Sequence, residues 1–167
     1  MGNTAILCID DENVRKILPN VRRRMVTYGA SPQADLVIKG AEMGKTGTRF
    51  SLEWKGASIG EFHLQSPGFH NVLNAAAAAA VALELGVSAS RIAEGLAAFR
   101  GVDRRFQLRG EVSGVSVIDD YGHHPTEIRA TLSAARQRQY RKVHVLFQPH
   151  RYTRTQILMD EFARSFF

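Results

Sequence analysis

The most reactive stretch of this chain is Asp119-Asp120-Tyr121-Gly122-His123-His124-Pro125-Thr126-Glu127, which places acids, a phenol and two imidazoles within nine residues. Loops that concentrate titratable groups carry function more often than they carry packing. Adjacent histidines project in different directions and no regular ligand spacing follows, so no metal site is expected there. A second stretch, Gln148-Pro149-His150-Arg151-Tyr152-Thr153-Arg154-Thr155, holds two arginines three residues apart. On a helix start that spacing lets both guanidinium forks converge on one carboxylate or phosphate. The competing assignment has one arginine bound to Asp119 or Asp120 and the other solvated. Gly101-Val102-Asp103-Arg104-Arg105-Phe106 adds an arginine pair, suited to clamping a phosphate or ribose or else simply exposed in a linker. In Gly68-Phe69-His70-Asn71-Val72-Leu73-Asn74, the spacing puts His70, Asn71 and Asn74 on one helix face near its N-terminus. Amides there can read an adenine edge, or can cap the helix and satisfy a loop. Gly40-Ala41-Glu42-Met43-Gly44-Lys45-Thr46 imitates a phosphate-binding loop but has one residue too few between its glycines, and it reads as a turn between strands.

The elements that must hold these residues follow from periodicity. A strand at 5–9, a helix at 12–18 and a strand at 25–28 open the chain, followed by alternating runs at 35–39, 49–54 and 58–64 that read as antiparallel strands. An alanine-rich helix at 70–85 stops at Gly86, and a second at 88–99, with Ser88 placed to cap it, stops at Gly101. The pattern then restarts as strand 106–111, turn Ser113-Gly114, strand 115–119, helix 125–138, strand 143–147 and helix 153–167. Pro125 suits the first helical turn, and Glu127 favours the positive end of the helix dipole. The expected class is α/β, with residues 1–102 forming the end of one α/β domain and residues 103–167 the first half of a doubly wound, Rossmann-like domain. The 119–127 and 148–155 loops then fall at the carboxyl ends of neighbouring parallel strands. Together with the arginine linker they would compose an anion-handling site between two domains.

Composition narrows the function classes. A hydrophobic fraction of 44% and a charged fraction of 23% are those of an ordinary globular chain, and one cysteine excludes a disulfide framework and points to a reducing cytoplasm. No signal peptide opens the sequence, and the uncharged run 69–83 is too short to span a bilayer, so no membrane partner is expected. The net charge of +6 is uneven: residues 1–99 carry 10 basic and 9 acidic side chains, residues 100–167 carry 12 and 7. That excess admits a basic nucleotide- or nucleic-acid-binding module. Against nucleic acid, the most basic stretch, 136–142, holds a single aromatic, Tyr140, and no recognition motif accompanies it.

The strings GFHNVLNAAAAAAVA, FRGVDRRFQLRGE, VIDDYGHHPTEIRATLSAAR and FQPHRYTRT resemble the Mur ligase family, and the resemblance runs from about Ala5 to the end. It is nearest to members that join L-alanine to UDP-N-acetylmuramate. A sister ligase that adds a ready-made tripeptide to the same sugar nucleotide shares HN, RR and HHPT but matches less well at DDYGHHPTE and QPHRYTRT. The resemblance implies a cytoplasmic, three-domain, ATP-dependent enzyme of peptidoglycan precursor synthesis that forms an amide through an acyl phosphate, with ATP, Mg2+, UDP-N-acetylmuramate and L-alanine as its cofactors and substrates. By the same resemblance Asn71 and Asn74, with His70 beside them, match adenine-reading residues, while Arg105 and Asp120 match nucleotide- and ribose-binding ones. Tyr121, His123, Arg151 and Arg154 match residues holding the alanyl end, and no residue is assigned as catalytic. Neither a UDP-sugar domain nor the family's phosphate loop and magnesium ligands is present in these 167 residues, so the chain is expected to be part of a longer ligase and inactive alone.

Overall fold

The computed structural model describes residues 4–44 and 47–167; Lys45 and Thr46 of the glycine-lysine motif lie outside the described residues. The chain divides into two compact units, Met1–Arg100 and Gly101–Phe167.

The first unit is a five-stranded sheet in chain order, β1 (Ala5–Cys8), β2 (Met25–Gly29), β3 (Leu36–Gly44), β4 (Gly47–Trp54) and β5 (Ala57–Leu64). Helix α1 (Glu12–Ile17) makes the crossover that parallel β1 and β2 require. It starts because the Asp11 carboxylate accepts the Asn13 and Val14 N–H groups at 2.8 and 3.0 Å. The alternating runs expected to be antiparallel are so from β3 to β5, but β3 also pairs parallel with β2 through Tyr28–Leu36 and Gly29–Val37. The reason is visible in β3 itself. Leu36, Val37 and Ile38 are all buried, with Leu36 and Ile38 in the main core and Val37 packed with Ile9, Ala34 and Leu18 on the other face. A strand covered on both faces reads as a continuous apolar run and can sit inside a mixed sheet.

Helix α2 (Phe69–Glu84) covers the main face, placing Val72, Ala75, Ala76, Ala79 and Ala80 against Val26, Phe50, Leu52, Phe62 and Leu64. Small residues let the helix lie close to the sheet. At its far end Glu84 accepts from Arg24 Nη2 at 2.9 Å and from Thr4 Oγ1 at 3.3 Å, pinning the helix to the β1 and β2 starts. Helix α3 (Ala89–Ala98) follows, contributing Ile92. Ser88 stands at its N-cap but caps nothing: its hydroxyl lies 3.1 Å from the Ser90 hydroxyl instead, since two neighbouring hydroxyls satisfy each other.

The second unit begins with a hairpin, β6 (Gln107–Val112) and β7 (Val115–Asp119). Ser113 and Gly114 have φ of 51° and 77°, the two left-handed residues that a type I′ two-residue turn demands. Helix α4 (Pro125–Gln137) follows, with Pro125 in its first turn as expected. Two expectations fail here. Residues 143–147 join no ladder among the described residues, and of them only Phe147 is partly covered, with Phe162 and Phe166 at centroid distances of 5.6 and 5.4 Å. A lone strand that buries one side chain gains too little to pay for ordering a parallel ladder. The last helix is broken into α5 (Tyr152–Ile157) and α6 (Met159–Arg164) at Leu158, which has φ −108° and ψ 22°. Thr153, Thr155 and Ile157 are poor helix formers, and Thr155 Oγ1 donates back to the Arg151 carbonyl at 3.1 Å. Phe162 of α6 is buried, as are Ile128, Ala134 and Ala135 of α4.

Leu52, fully buried beneath α2, sets the scale of this packing. Leu52→Ala is expected to cost about 2–5 kcal/mol, read as a lower urea midpoint, whereas Val117→Ala, at an exposed position of β7, should stay within about 0.5 kcal/mol.

Candidate functional site

In the second unit the site is built around the loop that joins β7 to α4. Asp120 is its clamp: Oδ2 accepts the Phe106 N–H at 2.8 Å and Oδ1 accepts the Gly122 N–H at 2.7 Å. Tyr121 N–H donates to the Arg104 carbonyl at 2.6 Å, so the arginine turn is sewn to the loop from both sides. Arg104 and Phe106 both adopt left-handed backbone, φ 59° and 48°, which non-glycine residues avoid unless the surroundings enforce it.

The arginine pair is therefore not a free linker. Arg104 Nε lies 3.4 Å from Asp119 Oδ2, and its guanidinium stacks 4.9 Å from the Tyr121 ring centroid. Arg105 Nη1 lies 3.4 Å from Glu127 Oε1. Asp119 and Asp120 are thus engaged by the 104–106 turn, not by Arg151 or Arg154, because the turn packs directly on the loop.

Glu127 receives more than Arg105. Its Oε2 accepts the His123 N–H at 2.9 Å and the His124 N–H at 3.2 Å, while His124 Nδ1 accepts the Thr126 N–H at 3.3 Å. This is a capping box with histidine in the place of the usual serine or threonine. The spacing His124-Pro125-Thr126-Glu127 carries that signal, so Glu127 caps the helix as well as meeting its dipole. Partial burial pushes the Glu127 carboxyl up, but the His123 N–H bond, the His123 charge and Arg105 together outweigh it and hold the group below the usual carboxylate range.

His123 Nδ1 lies 2.9 Å from the Tyr121 carbonyl. A carbonyl only accepts, so Nδ1 carries a proton here. Its ring packs edge-on against Tyr121 at 5.0 Å and His150 at 6.1 Å, which brings the 148–155 segment to the same place. Arg151 is exposed at the start of α5 with φ 71°, and Arg154 Nη1 donates to the His150 carbonyl at 3.5 Å. Neither guanidinium has an acidic partner among the described residues. Arg105, Asp120, Tyr121 and His123 thus lie in one cluster, against which the His150 ring packs; Arg154 reaches the His150 carbonyl, and Arg151 follows His150 in the chain.

His70, Asn71 and Asn74 lie in the first unit, on the opening turns of α2. Gly68, at φ 93°, supplies the turn into the helix. The Asn71 side-chain amide donates to the Pro67 carbonyl at 2.6 Å, holding the loop, and Asn74 is exposed one turn further on.

With this geometry in hand, comparison with known proteins is decisive. Residues 1–82 match the Mur ligase middle domain, and residues 104–167 match the Mur ligase glutamate ligase domain. The chain belongs to the Mur ligase family. It is 59% identical over 161 residues to the UDP-N-acetylmuramate–L-alanine ligase of Solibacter usitatus, covering 96% of this chain and 34% of that protein. Among solved structures, the UDP-N-acetylmuramate-alanine ligase MurC of Thermotoga maritima is 35% identical, with a TM-score of 0.72 over 84% of this chain and 31% of that one. The MurF ligase of Thermotoga maritima, solved in complex with ADP, is 25% identical with a TM-score of 0.67 over 81% and 31%. The chain spans about a third of the length of these Mur ligases.

The depressed Glu127 carboxyl has a definite sign. A folded-state pKa below the unfolded one adds stability above the unfolded value and loses it as pH falls through the folded one. The stability gap between the parent chain and Glu127→Gln should therefore narrow as pH is lowered from about 7 to about 3, followed by urea midpoints at each pH. A constant gap would show that Glu127 does not titrate out of its contacts.

Proposed function

We propose that this chain supplies nucleotide- and amino-acid-holding residues to an ATP-dependent ligase that joins L-alanine to the carboxylate of UDP-N-acetylmuramate, with the carboxylate activated as an acyl phosphate and displaced by the alanine amine. The observation that carries the reading is the cluster in which the Arg104–Phe106 turn packs on the loop of Asp120, Tyr121 and His123, with the His150 ring, next to Arg151 in the chain, against His123. The alanine-adding reaction is favoured over the tripeptide-adding one by the name borne by the relative 59% identical.

In this reading Asn71 and Asn74, with His70, read the adenine. Asp120 spends one lone pair of each oxygen on the backbone and keeps the others for a ribose hydroxyl. Arg105 serves the nucleotide, and Arg151 and Arg154, which have no acidic partner among the described residues, take the amino-acid carboxylate, with Tyr121 and His123 beside its amine. Residues 1–102 are then the end of the central ATP-binding domain and 103–167 the start of the amino-acid domain, in a cytoplasmic enzyme. Among the described residues no three His, Cys, Asp or Glu side chains come together in a group that could hold a metal ion. No helix among the described residues is long and apolar enough to cross a membrane.

The test is ATP-dependent formation of UDP-N-acetylmuramoyl-alanine, with matching phosphate release, by the enzyme that carries this chain. Turnover requiring all three substrates is expected, and its absence would sink the reading. Asn74→Ala should weaken nucleotide binding about tenfold, the loss of one good hydrogen bond. Binding should also vary little with salt, unlike a phosphate-backbone complex.

A further inference from the structure

Glu127 has no part in the reading above, yet its one carboxylate meets both halves of the cluster. Oε1 faces Arg105 at 3.4 Å, and Oε2 takes the His123 and His124 N–H groups and lies 3.6 Å from His123 Nδ1. It sits in the first turn of α4, a helix anchored by buried Pro125 and Ile128. The buried Ser165 hydroxyl, 3.3 Å from the Pro125 carbonyl, ties that turn to the end of the chain. A fixed helix therefore presents one carboxylate to the nucleotide-side guanidinium and to the amino-acid-side loop at once.

We propose that Glu127 is a positioning residue that holds Arg105 and the His123 loop in a common register, so that the nucleotide and amino-acid ends of the site are set by one side chain. The inference rests on the ligase reading. A residue that merely capped α4 would need only an acceptor oxygen, and glutamine supplies one. Pairing with Arg105 needs the negative charge. The two roles therefore separate on substitution.

In the ligase that carries this chain, Glu127→Gln should raise KM for ATP about tenfold and leave KM for the amino acid within about twofold. Glu127→Ala should raise both and lower kcat. In an Arg105→Ala background, Glu127→Gln should add nothing to KM for ATP, because the partner is already gone. In the 167-residue chain itself, amide exchange at His123 and His124 should stay slow in Glu127→Gln and become fast in Glu127→Ala. If Glu127→Ala does not fold, the glutamine variant and the cycle with Arg105 decide. An unchanged KM for ATP in Glu127→Gln, or additive effects in the cycle, overturns the proposal while the ligase reading stands. Absence of turnover by the unsubstituted enzyme overturns both.

Discussion

Two backbone N–H groups on the Asp120 carboxylate hold the second unit's chemistry together. Phe106 and Gly122 lie on opposite sides of the β6–β7 hairpin's open end, and a single acid closes that end. Arg104 and Phe106 pay a conformational cost of roughly 1–2 kcal/mol each for left-handed backbone, and the clamp offsets it. In return the turn delivers Arg104 to Asp119 and Arg105 to Glu127, two cations on two different acids within one short loop. If Asp120 let go, the turn would relax to ordinary dihedrals and both arginines would swing away together.

The first unit meets a different constraint. Its functional candidates sit at the start of a helix whose wholly buried positions are alanine apart from Val72, with Phe69, Leu73 and Leu83 partly buried against the same core. The Arg24 and Thr4 contacts to Glu84 fix the opposite end, leaving the Gly68 turn to set where the first residues point. Asn71 gives one of its two side-chain N–H groups to that turn, and Asn74 is exposed.

The strands of both units, the two alanine-containing helices of the first and the hairpin turn were legible because each follows a local rule of periodicity or backbone dihedral. Residues 143–147 were not, since an apolar run says nothing about whether a partner edge is close enough to pair. The break at Leu158 was missed because the apolar spacing runs through it, while the competing Thr155 hydroxyl bond depends on local geometry. The cluster itself was readable from its loop composition. Its wiring was not: any of several arginines could have met Asp119, and only folding shows that Arg104 does. Glu127 was overlooked because a carboxylate in a first helical turn already has an adequate explanation.

The alanine face of α2 also acts as a lever. Ala76, Ala79 and Ala80 are wholly buried and leave no slack between helix and sheet. The helix rises about 1.5 Å per residue, so Ala79 and Ala80 lie roughly 8–9 Å along the axis from Asn74. An added methylene there would lift the helix about its Glu84 anchor and displace the amide pair without touching it. The placement of Asn71 and Asn74 at the helix start can thus drift through substitutions in the core, several residues away.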